Sequence, residues 1–345
     1  MPTTSRWYPD HNTPAQTPVK QFTNLYYQYL FIFVTIDAMK HVLKAQQFDP
    51  EFINVLFNRA DSLQALTTDK RRHQKLGSLL SGKMMFLVFF EPSTRTRISF
   101  SAAGQHLGMQ VVTAENARES SSLVKGESLE DTIQVLCEYQ PDVIVLRHFE
   151  ADAATRAATV STVPIINAGD GHGQHPSQAL LDLYTIQREA GRITDLTIVL
   201  GTDLLHSRTI RSLIYLLGKV GGNHLILVSP KELRLASDIK AYLRRHKTTF
   251  EETENLEKAL EKADVIYWNR IQKERYANTI PPQTFVIGPQ HLPLLKPKAF
   301  LMNPLPRVDE ILTAVDKDPR AAYFRQVGNG MFVRMALIEW TLDLL

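Results

Sequence analysis

The chain has 345 residues, of which 44% are hydrophobic and 22% are charged, so it is long enough to bury a sizeable core and to form about two domains. Its 39 basic and 36 acidic side chains leave a net charge of only +3, which argues against a nucleic-acid-binding surface. The one cysteine, Cys137, excludes an internal disulfide and a cysteine-cluster zinc site, and the composition predicts a soluble, cytoplasmic protein.

Residues 1–38 differ in composition from the rest of the chain. The first 20 residues are rich in proline and threonine and lack apolar periodicity, so this N-terminal extension is expected to be partly disordered. The apolar run Leu25–Ile36 is shorter than the roughly 20 residues that a membrane-spanning helix needs. We expect it to pack on the body of the protein, and a second interpretation is that Met39 is the natural start.

Short apolar runs alternate with segments of helical periodicity in two successive series. The first series contains strand candidates Met84–Phe90, Val111–Ala114, Val143–Leu146 and Pro164–Asn167, and helix candidates Pro50–Leu66, Thr94–Leu107, Ser128–Tyr139 and Ala151–Ser161. The second contains strand candidates Leu196–Leu200, Leu225–Ser229, Val265–Trp268 and Ala299–Met302, and helix candidates Ser207–Val220, Leu235–His246 and Leu256–Lys262. Continuous apolar strands separated by amphipathic helices are typical of parallel sheets covered on both faces.

The pattern therefore predicts an α/β protein with two doubly wound parallel-sheet domains joined by interdomain helices, one of which begins near Gln178. The first domain is predicted at residues 39–180, completed by a C-terminal helix at residues 328–345. The second domain is predicted at residues 181–327. In such folds ligands bind at the C-terminal ends of the strands.

The most informative stretch is FEPSTRTRISF, residues Phe90–Phe100. Pro92 ends a buried strand, and Ser93 is a suitable N-cap for the helix that follows. The first backbone N–H groups of that helix would then form an anion-binding site, with the hydroxyls of Ser93, Thr94 and Thr96 as further donors.

Two arginines lie in the same stretch. The guanidinium of Arg95 matches the geometry of phosphate oxygens, so we expect it to face the anion. Arg97 is two residues away and points in roughly the opposite direction on a helix, so we expect it to pair with a neighbouring side chain instead.

This stretch resembles the S-T-R-T motif with which transcarbamoylases bind the phosphate of carbamoyl phosphate. The resemblance extends over nearly all of residues 39–345 and is strongest to the aspartate carbamoyltransferase branch of that family. The matching segments are SLVKGESLEDT (Ser122–Thr132), VLRH (Val145–His148), NAGDGHGQHPSQALLDLYTI (Asn167–Ile186), SRT (Ser207–Thr209), NRIQKER (Asn269–Arg275), NPLPRVDEI (Asn303–Ile311) and DPRAAYFRQVGNGMFVRMAL (Asp318–Leu337).

The resemblance implies a role for residues that are ambiguous by themselves. A histidine in a glycine-rich loop is more often structural than catalytic, but here the family implies that His175, Thr96 and Arg147 polarise the carbamoyl carbonyl. It also implies that Gln178 contacts the carbamoyl amide. The backbone of Pro304 and Leu305 is expected to line the carbamoyl-phosphate pocket, and the peptide bond after Leu305 is cis in the family. His148 and His172 are interpreted as loop or supporting residues.

The second domain is expected to bind the acceptor. Arginines at strand ends often only cap elements, but the resemblance implies that Arg208, Arg270 and Gln272 hold the two carboxylates of aspartate. Asp203 is expected to orient them, and Glu274 and Arg275 to stabilise the same loop. In the family the loop that carries Ser121 and Lys125 reaches the active site of the adjacent subunit, which implies a homotrimer with shared sites and a catalytic, aspartate-binding role for Lys125.

The implied activity is transfer of a carbamoyl group from carbamoyl phosphate to L-aspartate, a step of pyrimidine biosynthesis, with no cofactor and no metal. Two departures from the family pattern stand out. Asn303 replaces a histidine, and the loop GTDLLHSRT has Leu205 and Ser207 where lysine and glycine are usual.

Three alternatives remain open. One is an ornithine-type acceptor, although the second-domain residues favour an anionic one. Another is a non-catalytic relative that serves as a binding partner. The third, RNA binding, is disfavoured by the low net charge. Regulatory chains or pathway enzymes are possible further partners that the residues do not identify.

Overall fold

The computed structural model describes residues 39–68, 74–115, 126–272 and 285–345. Within them lie two sheets in which every strand pairing is parallel. The first sheet consists of β1 (Met84–Phe89), β2 (Gln110–Ala114), β3 (Val143–His148) and β4 (Ile165–Asp170), in the order β2-β1-β3-β4. The second consists of β5 (Thr197–Gly201), β6 (His224–Val228), β7 (Thr249–Thr253), β8 (Val265–Trp268) and β9 (Phe300–Met302), in the order β7-β6-β5-β8-β9. The predicted fold class is confirmed.

Amphipathic helices follow most strands and cover the sheets. They are α1 (Pro50–Thr67), α2 (Thr94–His106), α3 (Leu129–Glu138), α4 (Ala153–Val160), α5 (Pro176–Ala190), α6 (Arg208–Val220), α7 (Ser237–Arg245), α8 (Leu256–Lys262) and α9 (Tyr323–Thr341). Several begin at side-chain caps: the Asp49 carboxylate accepts the Phe52 N–H at 2.8 Å, and the Ser128 hydroxyl accepts the Asp131 N–H at 3.0 Å. None of the described helices combines the length and apolar character needed to cross a membrane.

One helix, α5, connects the last strand of the first sheet to the first strand of the second. Pro176 occupies its first position, where the fixed φ favours helix initiation, and Gly191 ends it with a left-handed φ of 74°. Its residues from Pro176 to Ile186 are all buried, and it packs against α6 and α9. A continuous hydrophobic core therefore runs from the first sheet through α5 and α9 to the second sheet.

Two elements differ from the sequence prediction. β7 was not predicted because its residues, TFEET, mix polar and apolar side chains at the edge of the sheet and are mostly half-buried or exposed. The C-terminal helix begins at Tyr323, before the predicted residue 328, and ends at Thr341. The N-terminal extension, residues 1–38, lies outside the described residues.

The strand order locates the places where a ligand fits. In the first sheet the chain reverses its winding between β1 and β3, and in the second between β5 and β8. Loops that leave neighbouring strands in opposite directions open a crevice at the C-terminal strand ends. Residues predicted from the sequence to bind substrate lie at the ends of these four strands or in the segments directly after them.

Candidate active site

A cavity of about 520 Å³ opens at the C-terminal ends of both sheets. Most of the residues predicted from the sequence to bind substrate meet on its walls. These are Ser93, Arg95, Thr96, Arg147, His175, Gln178, Arg208, Arg270, Gln272, Pro304 and Leu305. The cavity has room for two small anions side by side and carries several cations.

The phosphate-binding end is built by the turn from β1 into α2. Ser93 is the N-cap of α2, but its side chain makes no capping hydrogen bond, unlike Asp49 and Ser128 in the helices described above. Its hydroxyl therefore does not occupy the first N–H groups of α2. Thr96 is buried on the cavity wall, whereas Thr94 is exposed and does not line the cavity, so its predicted hydroxyl contact stays a prediction.

Arg95 and Arg97 separate as expected. Arg95 lines the cavity, and burial together with the charge of Arg270 lowers its pKa. Arg97 instead pairs with Glu115, outside the cavity. Among the described residues, Arg95 forms no salt bridge, so its guanidinium can pair with an anionic ligand.

The carboxylate of Glu91 joins an arginine of the first sheet to an arginine on the helix that follows β5. Arg147, at the end of β3, donates through Nη2 to Glu91 Oε1 at 2.5 Å and through Nη1 to the Ala168 carbonyl at 3.1 Å. Arg208, at the start of α6, donates through Nη2 and Nη1 to the two Glu91 oxygens at 2.9 and 3.1 Å. Glu91 thus holds two cavity cations in fixed positions.

The electrostatics of this triad follow from burial. Burial desolvates Glu91 and opposes its ionisation, but the hydrogen bonds and charges of Arg208 and Arg147 outweigh it and lower the pKa of Glu91. Burial and the charge of Arg208 lower the pKa of Arg147 to about 10, so Arg147 remains a cation at neutral pH.

Gly169 has a φ of 110°, and an added Cβ would lie 3.0 Å from Arg147 Nη1, so only glycine suits this position.

His175 forms part of the opposite wall. Its backbone N–H donates to Ser212 Oγ at 2.9 Å, and its Nδ1 lies 3.3 Å from Ser177 Oγ. When the Ser177 hydroxyl donates to Nδ1, Nε2 carries the proton and is available as a donor.

We predict that His175 acts as a neutral hydrogen-bond donor. Burial, followed by the charges of three nearby arginines, lowers its pKa well below the usual 6.5. The imidazole is therefore uncharged at pH 7, and its titration should not affect kcat between about pH 6 and 9. The same shift means that the folded state loses stability as pH falls below 6.5, where the unfolded chain binds a proton that the folded chain does not.

The test compares kcat–pH profiles of wild type and His175→Gln, which keeps a side-chain N–H donor. We expect profiles of the same shape above pH 6, with His175→Ala slower than His175→Gln at every pH. A limb near pH 6 to 7 that is present in wild type and absent from His175→Gln would show that the imidazole titrates during turnover.

One predicted acceptor-binding residue, Gln272, is held by a buried carboxylate. Asp203 is fully buried, and its Oδ1 accepts the His206 N–H at 2.9 Å while its Oδ2 accepts the Gln272 N–H at 3.2 Å. The side chain of Gln272 donates to the His206 carbonyl at 3.1 Å. Asp203 therefore ties the loop after β5 to the loop after β8. Arg270 lines the cavity on the same side.

Asn303, which stands where the family has a histidine, holds the loop after β9 in place through its side chain. Its Nδ2 donates to the Trp268 carbonyl at 2.7 Å and to Glu310 Oε1 at 2.8 Å, and its Oδ1 accepts the Leu305 N–H at 2.6 Å. The side chain is fully used in holding the backbone that lines the cavity at Pro304 and Leu305. The Leu305–Pro306 peptide bond is cis.

The other departure affects the start of α6. Ser207 caps this helix, because its hydroxyl accepts the Ile210 N–H at 3.3 Å. Leu205 is 38% exposed and does not line the cavity.

Some predicted residues lie outside the cavity or outside the described residues. Ser121 and Lys125, predicted to reach an adjacent subunit, fall in residues 116–125, and Glu274 and Arg275 fall in residues 273–284; neither range is described. His148 is buried and does not line the cavity, and its Nδ1 accepts the Glu150 N–H at 3.0 Å. His172, in contrast, lies on the cavity wall.

Three charged residues at or beneath the cavity were not singled out from the sequence. Glu91 belongs to the stretch Phe90–Phe100. A carboxylate directly beside a predicted anion site is unusual, and this could have identified Glu91 from the sequence. Arg334 lines the cavity from α9, donates to Ser99 Oγ at 2.6 Å, and has its pKa lowered to about 10 by burial. Asp182 lies beneath the cavity on α5, in a run of residues that reads as helix core.

The chain matches two family models. Residues 40–188 match the aspartate/ornithine carbamoyltransferase carbamoyl-P binding domain, and residues 194–341 match the Asp/Orn binding domain. A chloroplastic aspartate carbamoyltransferase 1 of Pisum sativum is 46% identical over 303 residues, which cover 86% of this chain and 77% of that protein.

Solved structures of aspartate transcarbamoylases are also similar to this chain. The catalytic subunit of M. jannaschii aspartate transcarbamoylase superposes with a TM-score of 0.80 at 42% identity, covering 88% of this chain and 98% of the other. The Trypanosoma cruzi aspartate transcarbamoylase in complex with carbamoyl phosphate gives a TM-score of 0.82 at 39% identity, covering 88% and 95%. On these matches, the chain belongs to the aspartate/ornithine carbamoyltransferase family.

Proposed function

We propose that this protein is an aspartate carbamoyltransferase, which transfers the carbamoyl group of carbamoyl phosphate to the α-amino group of L-aspartate. The products are N-carbamoyl-L-aspartate and phosphate, which fits a step of pyrimidine biosynthesis. The observation that carries the proposal is the shared cavity. It joins an anion site at the start of α2 to a second wall that carries the cations Arg208 and Arg270 and the amide of Gln272.

The reaction needs one bond made and one broken. The uncharged amine of aspartate attacks the carbamoyl carbon, and the new C–N bond forms as electrons move onto the carbonyl oxygen. When the carbonyl re-forms, the bond from carbon to the bridging oxygen breaks, and phosphate leaves with that electron pair. The leaving phosphate accepts the proton that the amine must lose, so no protein nucleophile is required.

The cavity residues supply electrostatic stabilisation and proximity. Donors from Arg147, Thr96 and His175 surround the position proposed for the carbonyl oxygen, and Arg95 balances the charge that grows on the bridging oxygen. Binding both anions in one cavity converts a bimolecular reaction into one between fixed neighbours. Cys137, buried beside Ser161, lies outside the cavity and has no part in this scheme.

The activity is tested with purified protein, carbamoyl phosphate and either L-aspartate or L-ornithine. We expect N-carbamoyl-L-aspartate to form, with little or no turnover of ornithine, because Arg208 and Arg270 suit a dianionic acceptor. Faster turnover with ornithine would reject the proposed acceptor. Tight binding of substrates without any product would indicate a non-catalytic relative.

We also propose a homotrimer in which the segment carrying Ser121 and Lys125 completes the neighbouring site. Support comes from the edge strand β2, which ends at Ala114 just before that segment and leaves most of its side chains exposed. Ile98 and Val112 are 52% and 50% exposed in the single chain, which fits a subunit contact on this side of the first sheet.

Subunit mixing tests the shared site. Lys125→Ala and Arg95→Ala proteins should each be nearly inactive, but a refolded mixture should regain activity because some sites then receive an intact residue from each parent. Random assembly into trimers limits the recovery to about a quarter of the sites. An inactive mixture of correctly sized trimers would place both residues in the same subunit's site.

A further inference from the structure

A buried carboxylate lies directly beneath the cavity. Asp182, on α5, is fully buried. Its Oδ1 accepts hydrogen bonds from Gln178 Nε2 at 2.8 Å and from Gln326 Nε2 at 2.6 Å, and its Oδ2 accepts one from the Tyr267 hydroxyl at 2.7 Å. Three donors from α5, α9 and β8 therefore converge on one side chain that has no contact with the cavity surface.

This arrangement fixes the direction of the Gln178 amide. Burial raises the pKa of Asp182 to about 7, but Oδ1 already accepts from two amide nitrogens, so a proton on this carboxyl would lie on Oδ2 beside the Tyr267 hydroxyl. In either protonation state Oδ1 only accepts, and the nitrogen end of the Gln178 amide faces Asp182. The other end of the amide is an oxygen, which accepts only. Gln178 lines the cavity, so the atom that it can offer to a ligand there is Oε1.

An acceptor at this position matches one end of the proposed substrate. The carbamoyl group has a carbonyl oxygen, which needs donors, and an NH₂ group, which needs acceptors. The neighbouring side chains Arg95, Arg147 and Arg334 provide donors only. Gln178 Oε1 is thus a suitable partner for the NH₂ group, provided that its amide does not rotate.

Asp182 also acts on the loop at the other side of the cavity. Gln326, held through its nitrogen by Asp182, turns its Oε1 to the Asn303 N–H at 3.0 Å. Asn303 in turn holds the Leu305 N–H, so the backbone that lines the cavity is connected to the same carboxylate. One buried group therefore determines the orientation of two walls.

We propose that Asp182 is a positioning residue that selects for the NH₂ group of the substrate. By fixing the nitrogen end of the Gln178 amide away from the cavity, it presents an acceptor that recognises a carbamoyl group and disfavours an acyl group with a methyl in that place. This inference rests on the proposed function for the identity of the substrate.

Two variants separate this role from simple structural support. Asp182→Leu has a similar shape but no acceptor, so the Gln178 amide is free to rotate. Asp182→Asn is the matched control: its amide oxygen can still accept from both glutamines, while its nitrogen faces the Tyr267 hydroxyl oxygen, which can accept. Each protein is tested for binding of carbamoyl phosphate, acetyl phosphate and inorganic phosphate by calorimetry, and for kcat and KM.

For Asp182→Leu we expect the preference for carbamoyl over acetyl phosphate to fall by about 10-fold or more, since a site built to hydrogen-bond a substrate NH group rejects the analogue that lacks it. Binding of inorganic phosphate should change by less than about twofold. Within the described part of the chain, the α2 anion site and Asp182 have no hydrogen-bonding partner in common, and the effects of changes at such separate sites are independent. Asp182→Asn should keep the wild-type preference. In kinetics, the KM for carbamoyl phosphate should rise in Asp182→Leu with the KM for aspartate less affected.

An unchanged preference in Asp182→Leu would overturn the inference. So would an Asp182→Asn protein that loses the preference to the same extent, or an Asp182→Leu protein that loses inorganic phosphate binding as well, because either result indicates general support of the fold. Failure of wild type to carbamoylate aspartate would reject the proposed function separately, since the binding preference is measured without turnover.

Discussion

Replacing Arg95 with alanine should lower kcat by about 100- to 1000-fold, the loss typical of removing one transition-state donor. Arg95 stands on the cavity wall at the start of α2, and among the described residues no carboxylate pairs with it. Its charge is therefore available for the bridging oxygen of carbamoyl phosphate, where negative charge grows as the bond to carbon breaks. The KM for aspartate should change much less than kcat. Steady-state kinetics with both substrates varied measures this.

Arg97→Ala is the matched control for Arg95→Ala. It removes the same side chain two positions later on the same helix, but this arginine pairs with Glu115 away from the cavity. Its kcat should stay within a fewfold of wild type. Equal losses in the two variants would mean that the helix, and not the Arg95 guanidinium, carries the effect.

Replacing Glu91 with glutamine should lower kcat/KM for aspartate by about 10- to 100-fold, in the range of coupling found within a charged network. The carboxylate neutralises two guanidinium groups, Arg147 and Arg208, and fixes both by hydrogen bonds of 2.5 to 3.1 Å. With a neutral amide the two cations repel each other, and Arg208 is expected to leave the position proposed for the aspartate carboxylate. The KM for aspartate should therefore rise more than that for carbamoyl phosphate.

Glu150→Gln is the control for Glu91→Gln. Glu150 pairs with Arg156, but its side chain is 48% exposed, and ion pairs in solvent contribute little. This variant should have wild-type kinetics. If Glu91→Gln were equally silent, the carboxylate bridge between Arg147 and Arg208 would have no role in acceptor binding.

Much of the fold follows from local patterns in the sequence. The strand Val143–His148 is apolar from Val143 to Leu146 and buried along its whole length, which is the pattern by which parallel strands are recognised. β7 was missed because an edge strand needs no continuous apolar run, and its TFEET sequence has none. The predicted cytoplasmic location stays a prediction, and the Pisum sativum relative is named chloroplastic.

The candidate site was predictable where a residue follows a strand directly. Arg147 and Arg270 lie immediately at or after strand ends, and such residues reach the cavity by topology alone. Asp182 was not predictable in this way, because helical periodicity places it in the core without showing that three donors meet there. The pairing of Glu91 with arginines distant in sequence likewise depends on how the two sheets are packed. Sequence patterns are local, so they do not show which distant arginines meet Glu91 in the folded chain.

The proposed function requires one cavity to bind both substrates, with phosphate at the start of α2 and the aspartate carboxylates opposite. The most direct measurement is a crystal structure with N-(phosphonacetyl)-L-aspartate, which joins a phosphonate and an aspartate in one molecule. We expect the phosphonate to lie on Ser93, Arg95 and the α2 backbone N–H groups, and the two carboxylates to lie on Arg208, Arg270 and Gln272. A phosphonate bound away from α2, or carboxylates with no contact to Arg208 and Arg270, would contradict it.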